Sequence, residues 1–427
     1  MTADNERARI RAWALYDWAN SAFATTVMAG FFPAFFQQFW SVGVPPTVST
    51  ARLGLANGVA GLVVAALAPL LGAIADSAGR RKPFLLAWTA LGVAATAGLY
   101  LAPRGAWQWA FWLFVLGSIG FAAANVFYDA LLVDVAPPAA YDRVSSLGYA
   151  LGYLGGGLLL LVNVAMASRP QWFGFDDAAQ AVQFAFLTVA LWWAGFTLPL
   201  ARRVRDGAAT APFGLAAAAR AGVRQLVATL RSAARFREVG IFLVAYWLYI
   251  DGVNTIIKMA VDFGIAIGLP ATALLGALLL TQFVAFPAAL AFGWLGERIG
   301  ARRGILLGLA VYTHATCYAF VLDSVAEFFV LAVVIGLVQG GVQALSRSFF
   351  GRLVPAGRSG EFFGFYNMMG KFATVVGPLL VAAVALATGS SRASIAALVV
   401  LFIAGGLLLL LVRDPQPAAR SPVSSNL

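Results

Sequence analysis

Apolar residues fill the chain in long runs separated by short polar breaks. Reading between the breaks predicts twelve spans, at 12–40, 53–75, 83–102, 108–133, 144–167, 179–200, 238–262, 271–295, 304–322, 326–346, 361–387 and 393–412. Each meets the roughly 17 to 25 residues that a helix needs to cross bilayer hydrocarbon. They lack the alternation over about ten residues that marks a membrane β-strand. The fold class expected is an all-α polytopic membrane protein, twelve transmembrane helices in two six-helix bundles. Backbone groups in hydrocarbon must pair internally, so Pro33, Pro69, Pro287 and Pro378 should kink helices or face protein.

The break after the sixth span divides the chain into a first bundle (1–200), a linker (201–237), a second bundle (238–412) and a tail (413–427). Linker residues Leu226, Val227 and Leu230 stand among spaced arginines, which suits either an amphipathic helix on the inner leaflet or a basic linker.

Composition agrees: 61% of the 427 residues are hydrophobic and 11% charged, which places the chain in the membrane class. The formal charge of +11 raises the question of nucleic acid, but the basic residues sit in short loops between apolar runs. Eight arginines lie between 202 and 237, and most others share that side, so the positive-inside rule makes both termini cytoplasmic, in a bacterial inner membrane. Cys317 is the only cysteine, excluding an internal disulfide and a multi-cysteine metal site.

The halves echo each other. "GAIADSAGRRK" (72–82) matches "GWLGERIGARR" (293–303), "YDWANS" matches "IDGVNT", and "NVFYDALLVDVAP" matches "QALSRSFFGRLVP", which sets Asp129 opposite Arg347. Three echoes in register argue for a duplicated six-helix unit. In the loop motif, Asp76, Arg80 and Arg81 with Glu297, Arg302 and Arg303 form either a breakable charge latch or simple markers of cytoplasmic loops. Asp129 and Arg347 suit a salt bridge between the halves, with Arg347 snorkelling to phosphates as the alternative.

The six-plus-six plan and the twofold loop motif resemble the major facilitator superfamily. Within it, "YDWANSAF", "FYDALLVDVAP" and "SSLGYALGYLGGG" resemble bacterial relatives of the autophagy-related vacuolar effluxers. The resemblance implies a secondary transporter working by alternating access, with a cavity lined by the first, fourth, seventh and tenth spans. Amino-acid export, associated with fungal members, is the substrate class it suggests.

Charge inside a bilayer costs about 2.5 to 3.5 kcal/mol on insertion scales, so such groups should face protein or water and find partners. Asp17 and Asn20 share one helix face, as do Asp251, Asn254 and Lys258. These are expected on cavity-facing or inter-half surfaces, as a solute site or as a paired network locking helices. Lys371 and Lys258, with Asn367 near the former, could meet a substrate carboxylate or form fixed Lys–Asp pairs.

Protons are a plausible coupling ion through Asp17, Asp129 or Asp251. His314 reads as a packed or hydrogen-bonded side chain. Phe31, Phe32, Phe35, Phe36, Phe39 and Trp40 suit lipid contact. The glycines at 148–157, with Gly364 and Gly370, suit moving or static close contacts between spans. The expected partners are a small polar solute, protons and membrane lipids, with no nucleic acid, cofactor or metal. One histidine, one cysteine and scattered acids do not suggest an enzyme. A non-transporting receptor or scaffold on the same fold is the competing reading.

Overall fold

The computed structural model describes residues 3–206, 215–231, 233–373 and 376–413. The expected tail lies, beyond Arg413, outside the described residues, as does the linker stretch 207–214. Among the described residues, eleven helices are long and apolar enough to cross a bilayer.

Span 1 adds one crossing to these eleven. It runs through residues 3–40 and starts earlier than its apolar pattern, because the polar turn before Arg11 is helical too. Its helix widens into π turns over Phe23–Phe31 and Phe36–Trp40, flanking an α turn at Phe32–Phe35. Pro33, which lacks an N–H, sits in that intervening turn. Span 2 is Pro46–Ala78, span 3 Lys82–Leu101 and span 4 Trp107–Val135; span 5 is Tyr141–Ser168 and span 6 Ala178–Arg203. A linker helix, Leu215–Arg231, follows. Span 7 is Arg237–Ala266, span 8 Ala271–Ile299, span 9 Ala301–Tyr318 and span 10 Val325–Leu353. The eleventh crossing is two helices, Ser359–Phe372 and Val376–Thr388, and the twelfth is Ser391–Ala396 followed by Val399–Leu410.

Separate apolar cores form within spans 1–6 and within spans 7–12. The aromatics late in span 1 belong to the first core, which corrects the expectation of lipid contact. Phe32, Phe36 and Trp40 are fully buried, Phe32 stacks on Phe114 at 4.1 Å, and Trp40 Nε1 donates to the Ala102 carbonyl at 3.1 Å. An aromatic ring is as apolar to a neighbouring helix as to a lipid tail, so hydropathy does not separate the two.

Glycine lets helices touch backbone to backbone. Gly148, Gly152, Gly155 and Gly156 of span 5 face span 1; a Cβ at Gly155 would lie 2.7 Å from the Trp18 carbonyl. This contact is internal to the first bundle. Spans 2 and 11 cross between the bundles: a Cβ at Gly72 would overlap the Gly360 carbonyl, and one at Gly364 would sit 2.5 Å from the Ala68 carbonyl.

Candidate functional site

The hydrogen bonds joining the two halves cluster at the end of the molecule that carries both termini. They form two layers. In the shallower one, Arg352 at the end of span 10 grips Asp142 at the start of span 5 through both carboxylate oxygens, at 2.9 and 2.8 Å. The Ser348 hydroxyl donates to the same carboxylate. Nearby, Asp76 accepts the Gly360 and Glu361 amide protons at 2.9 and 2.8 Å. Those amides open span 11 and have no partner within their own helix, so a carboxylate from the other half satisfies both them and the positive end of the helix dipole.

Arg81 fixes that carboxylate by bridging Asp76 at 2.7 Å and Asp134 at 2.5 Å. Burial works against the Arg81 charge, yet the two carboxylates outweigh it and hold the guanidinium above its ordinary value.

The deeper layer lies about 7.5 Å further in, the five residues of span 10 from Arg352 back to Arg347 at about 1.5 Å each. Arg347 is its centre and is 1% exposed. Its Nε and Nη2 donate to the Ser145 hydroxyl and carbonyl, both at 2.8 Å, and Nη1 donates to Asp129 at 3.1 Å and Asp17 at 3.5 Å. The Tyr128 hydroxyl donates to Asp17 at 3.1 Å, and the Asn367 amide to the second Asp129 oxygen at 2.9 Å. The Tyr149 ring covers the guanidinium at 4.3 Å. Gly148 leaves room for this cluster, since a Cβ there would come within 2.8 Å of the Tyr128 hydroxyl.

The other candidates divide. Asn20 is buried inside the first bundle, its amide donating to Asn125 at 2.7 Å. Asp251, expected on a cavity or inter-half surface, is instead 1% exposed within the second bundle. Its carboxylate accepts the Val376 N–H at 3.0 Å, capping the second helix of span 11, while Asn254 donates to the Ala373 carbonyl at 3.1 Å, where the first helix ends. The two side chains thus tie span 7 to span 11 on either side of residues 374–375, which lie outside the described residues. Replacing Asp251 by alanine is expected to lower stability by about 1–2 kcal/mol through the lost cap. D251N, which keeps an acceptor, should cost less; thermal unfolding in detergent measures both.

Lys371 follows Asn367 by one turn on span 11 and is half-buried, and Lys258 of span 7 is exposed and close enough for the two charges to interact. Arg80, Glu297 and Arg303 are exposed, and Arg302 donates to the Val412 carbonyl at 2.8 Å, so the second loop copy does not repeat the first. The reason is a charge reversal. Where the first half has Asp134 to receive Arg81, the repeat has Arg352, which offers Arg302 no acceptor and pairs with Asp142 of the other half.

Asp142, Arg352, Ser145 and Asp134 were not singled out by sequence pattern, because charges and hydroxyls near span ends look like ordinary interfacial residues. The signal available was the offset that pairs Asp129 with Arg347, which also pairs Asp134 with Arg352.

Two bundles of six helices, joined at one end by a buried layer of ion pairs, define a transporter of the major facilitator type. Solved structures agree on the fold. The human organic anion transporter MFSD10 superposes with a TM-score of 0.70 at 17% identity, over 96% of this chain and 100% of that one. The outward conformation of FucP gives 0.70 at 12%, over 96% and 98%.

Among curated proteins, the MFS-type transporter YxiO of Bacillus subtilis (strain 168), described as uncharacterized, is 37% identical over 407 residues, 94% of each chain. Autophagy-related protein 22-2 of Emericella nidulans is 29% identical over 309 residues, 64% of this chain. The chain matches a stretch equal to 50% of that fungal relative. The family model described as vacuole effluxer Atg22 like matches residues 47–139 and 134–418. The chain belongs to that family.

Proposed function

We propose that the protein is a proton-coupled secondary transporter that moves a small carboxylate-bearing solute, an amino acid in the simplest case, out across the bacterial cytoplasmic membrane. Both termini face the cytoplasm in this reading, as the arginine-rich loops on that side indicate. The Arg347 cluster carries it. A guanidinium of the second half, buried and bonded to Ser145, Asp129 and Asp17 of the first, is satisfied only while the halves are closed, so it acts as the inner gate of an alternating-access cycle.

Arg347 faces two carboxylates, Asp17 and Asp129, which leaves one excess negative charge in a buried site. One proton neutralises it, and this supports proton coupling. Lys371 and Lys258, one turn and more beyond the gate, supply the cationic surface for a carboxylate. The description of the family as effluxers supports the outward direction.

Purified protein in proteoliposomes, offered amino acids and short peptides under imposed pH and voltage gradients, tests the reading. A pH gradient is expected to drive flux, and Lys371→Met to raise KM about tenfold with a smaller effect on kcat. Saturable binding with no flux under any gradient would establish a receptor instead.

A further inference from the structure

The linker helix touches both halves and presents a second, separate face outward. On its inner face, Gly222 lies against the backbone of Ile74 in span 2, where a Cβ would come within 2.8 Å of Ile74 Cα. Gln225 donates to Glu361 of span 11 at 2.7 Å and also contacts Ser77 of span 2 at 3.5 Å. Thr229 accepts from Arg358, which in turn pairs with Glu361 at 2.8 Å. Positions 222, 225 and 229 recur at helical spacing, so one stripe of this helix spans the joint between the bundles.

The opposite stripe is Arg220, Val223, Arg224, Val227 and Arg231, again at steps of three and four, and all five are exposed. Val223 and Val227 are 46% and 39% exposed. The helix sits against the last turn of span 2 and the first of span 11, at the ends of two helices long and apolar enough to cross a bilayer. An apolar stripe flanked by arginines there matches an anionic lipid surface in both chemistry and position.

We propose that this outer stripe rests on anionic lipid headgroups of the adjacent leaflet and thereby holds the joint closed on the terminus-bearing side. The helix can bridge Ser77 to Glu361 only while spans 2 and 11 are together. Lipid that fixes the helix in this pose stabilises the closed arrangement over the parted one. The inference rests on the reading that the halves part on this side, and adds that leaflet charge sets how often they do.

The test uses the full chain in nanodiscs of phosphatidylcholine, with or without phosphatidylglycerol. Spin labels go on A139C and A356C in a C317S background; both positions line the same surface cleft between the halves. Anionic lipid is expected to raise the closed-to-parted ratio about fivefold, and high salt to reduce the effect. The R220Q/R224Q/R231Q variant should lose the lipid response while keeping the labels' distance range.

Arg347→Gln, expected to part the halves in either lipid, shows that the labels can report opening. If R347Q widens the distance but lipid charge does not alter the wild type, or if the triple variant keeps its lipid response, the inference is wrong and the transport reading stands. If R347Q leaves the distance unchanged as well, parting on this side fails and the inference falls with it.

Discussion

Arg347→Gln is expected to abolish transport and to cost more stability than any other single change at the site. Glutamine leaves Asp17 and Asp129 buried without their cation. Removing one partner of a buried ion pair costs about 3–5 kcal/mol. Spent on the closed arrangement alone, that lowers its population by about 100-fold or more. Flux in proteoliposomes and the unfolding temperature in detergent measure the two effects. R347Q/D17N/D129N should recover stability without recovering transport, because it removes both orphaned carboxylates but not the need for an Arg347 bond that forms and breaks. Near-normal flux in R347Q would eliminate the gate.

The second large effect is expected at Gly72. Valine there collides with the Gly360 carbonyl, at a crossing where the two backbones already touch. Overpacking a tight contact costs about 1–3 kcal/mol, which shifts the balance toward the parted arrangement by roughly fivefold to a hundredfold. Each bundle keeps its own core, so the protein should still fold. Cysteines introduced at Ala139 and Ala356 should cross-link more slowly in Gly72→Val than in the parent, and G72A should fall between them. Unchanged cross-linking would show that the crossing tolerates the added methyls and does not set the closed state.

The fold was legible because a bilayer demands long apolar runs, and twelve such runs survive in the pattern. The partners of Asp251 and Asn254 were not, since these side chains of span 7 bond the Val376 N–H and the Ala373 carbonyl of span 11, far away in the chain. For the same reason these two residues were read as facing the gap. A polar side chain on a membrane helix announces that it has a partner without saying whether that partner is solute, water or backbone.

Asp129 and Arg347 were picked out because the repeat set opposite charges at matched positions, and they stand 3.1 Å apart. Asp142 and Arg352 carry the same kind of contact but were passed over, since Asp142 has no charged counterpart in the echoing motifs. The arginine stripe of the linker helix was readable from spacing. Its grip on Glu361 was not, because that contact depends on how two distant helices cross.

The reversal of charge between the repeats has a consequence for assembly. Among the described residues, every carboxylate that bonds an arginine across the joint comes from the first half, Asp17, Asp129 and Asp142, and both arginines come from the second, Arg347 and Arg352. Two copies of the first half would set acid against acid, and two of the second would set cation against cation. The joint's ion pairs therefore favour unlike halves over like ones, as a lock fits its key.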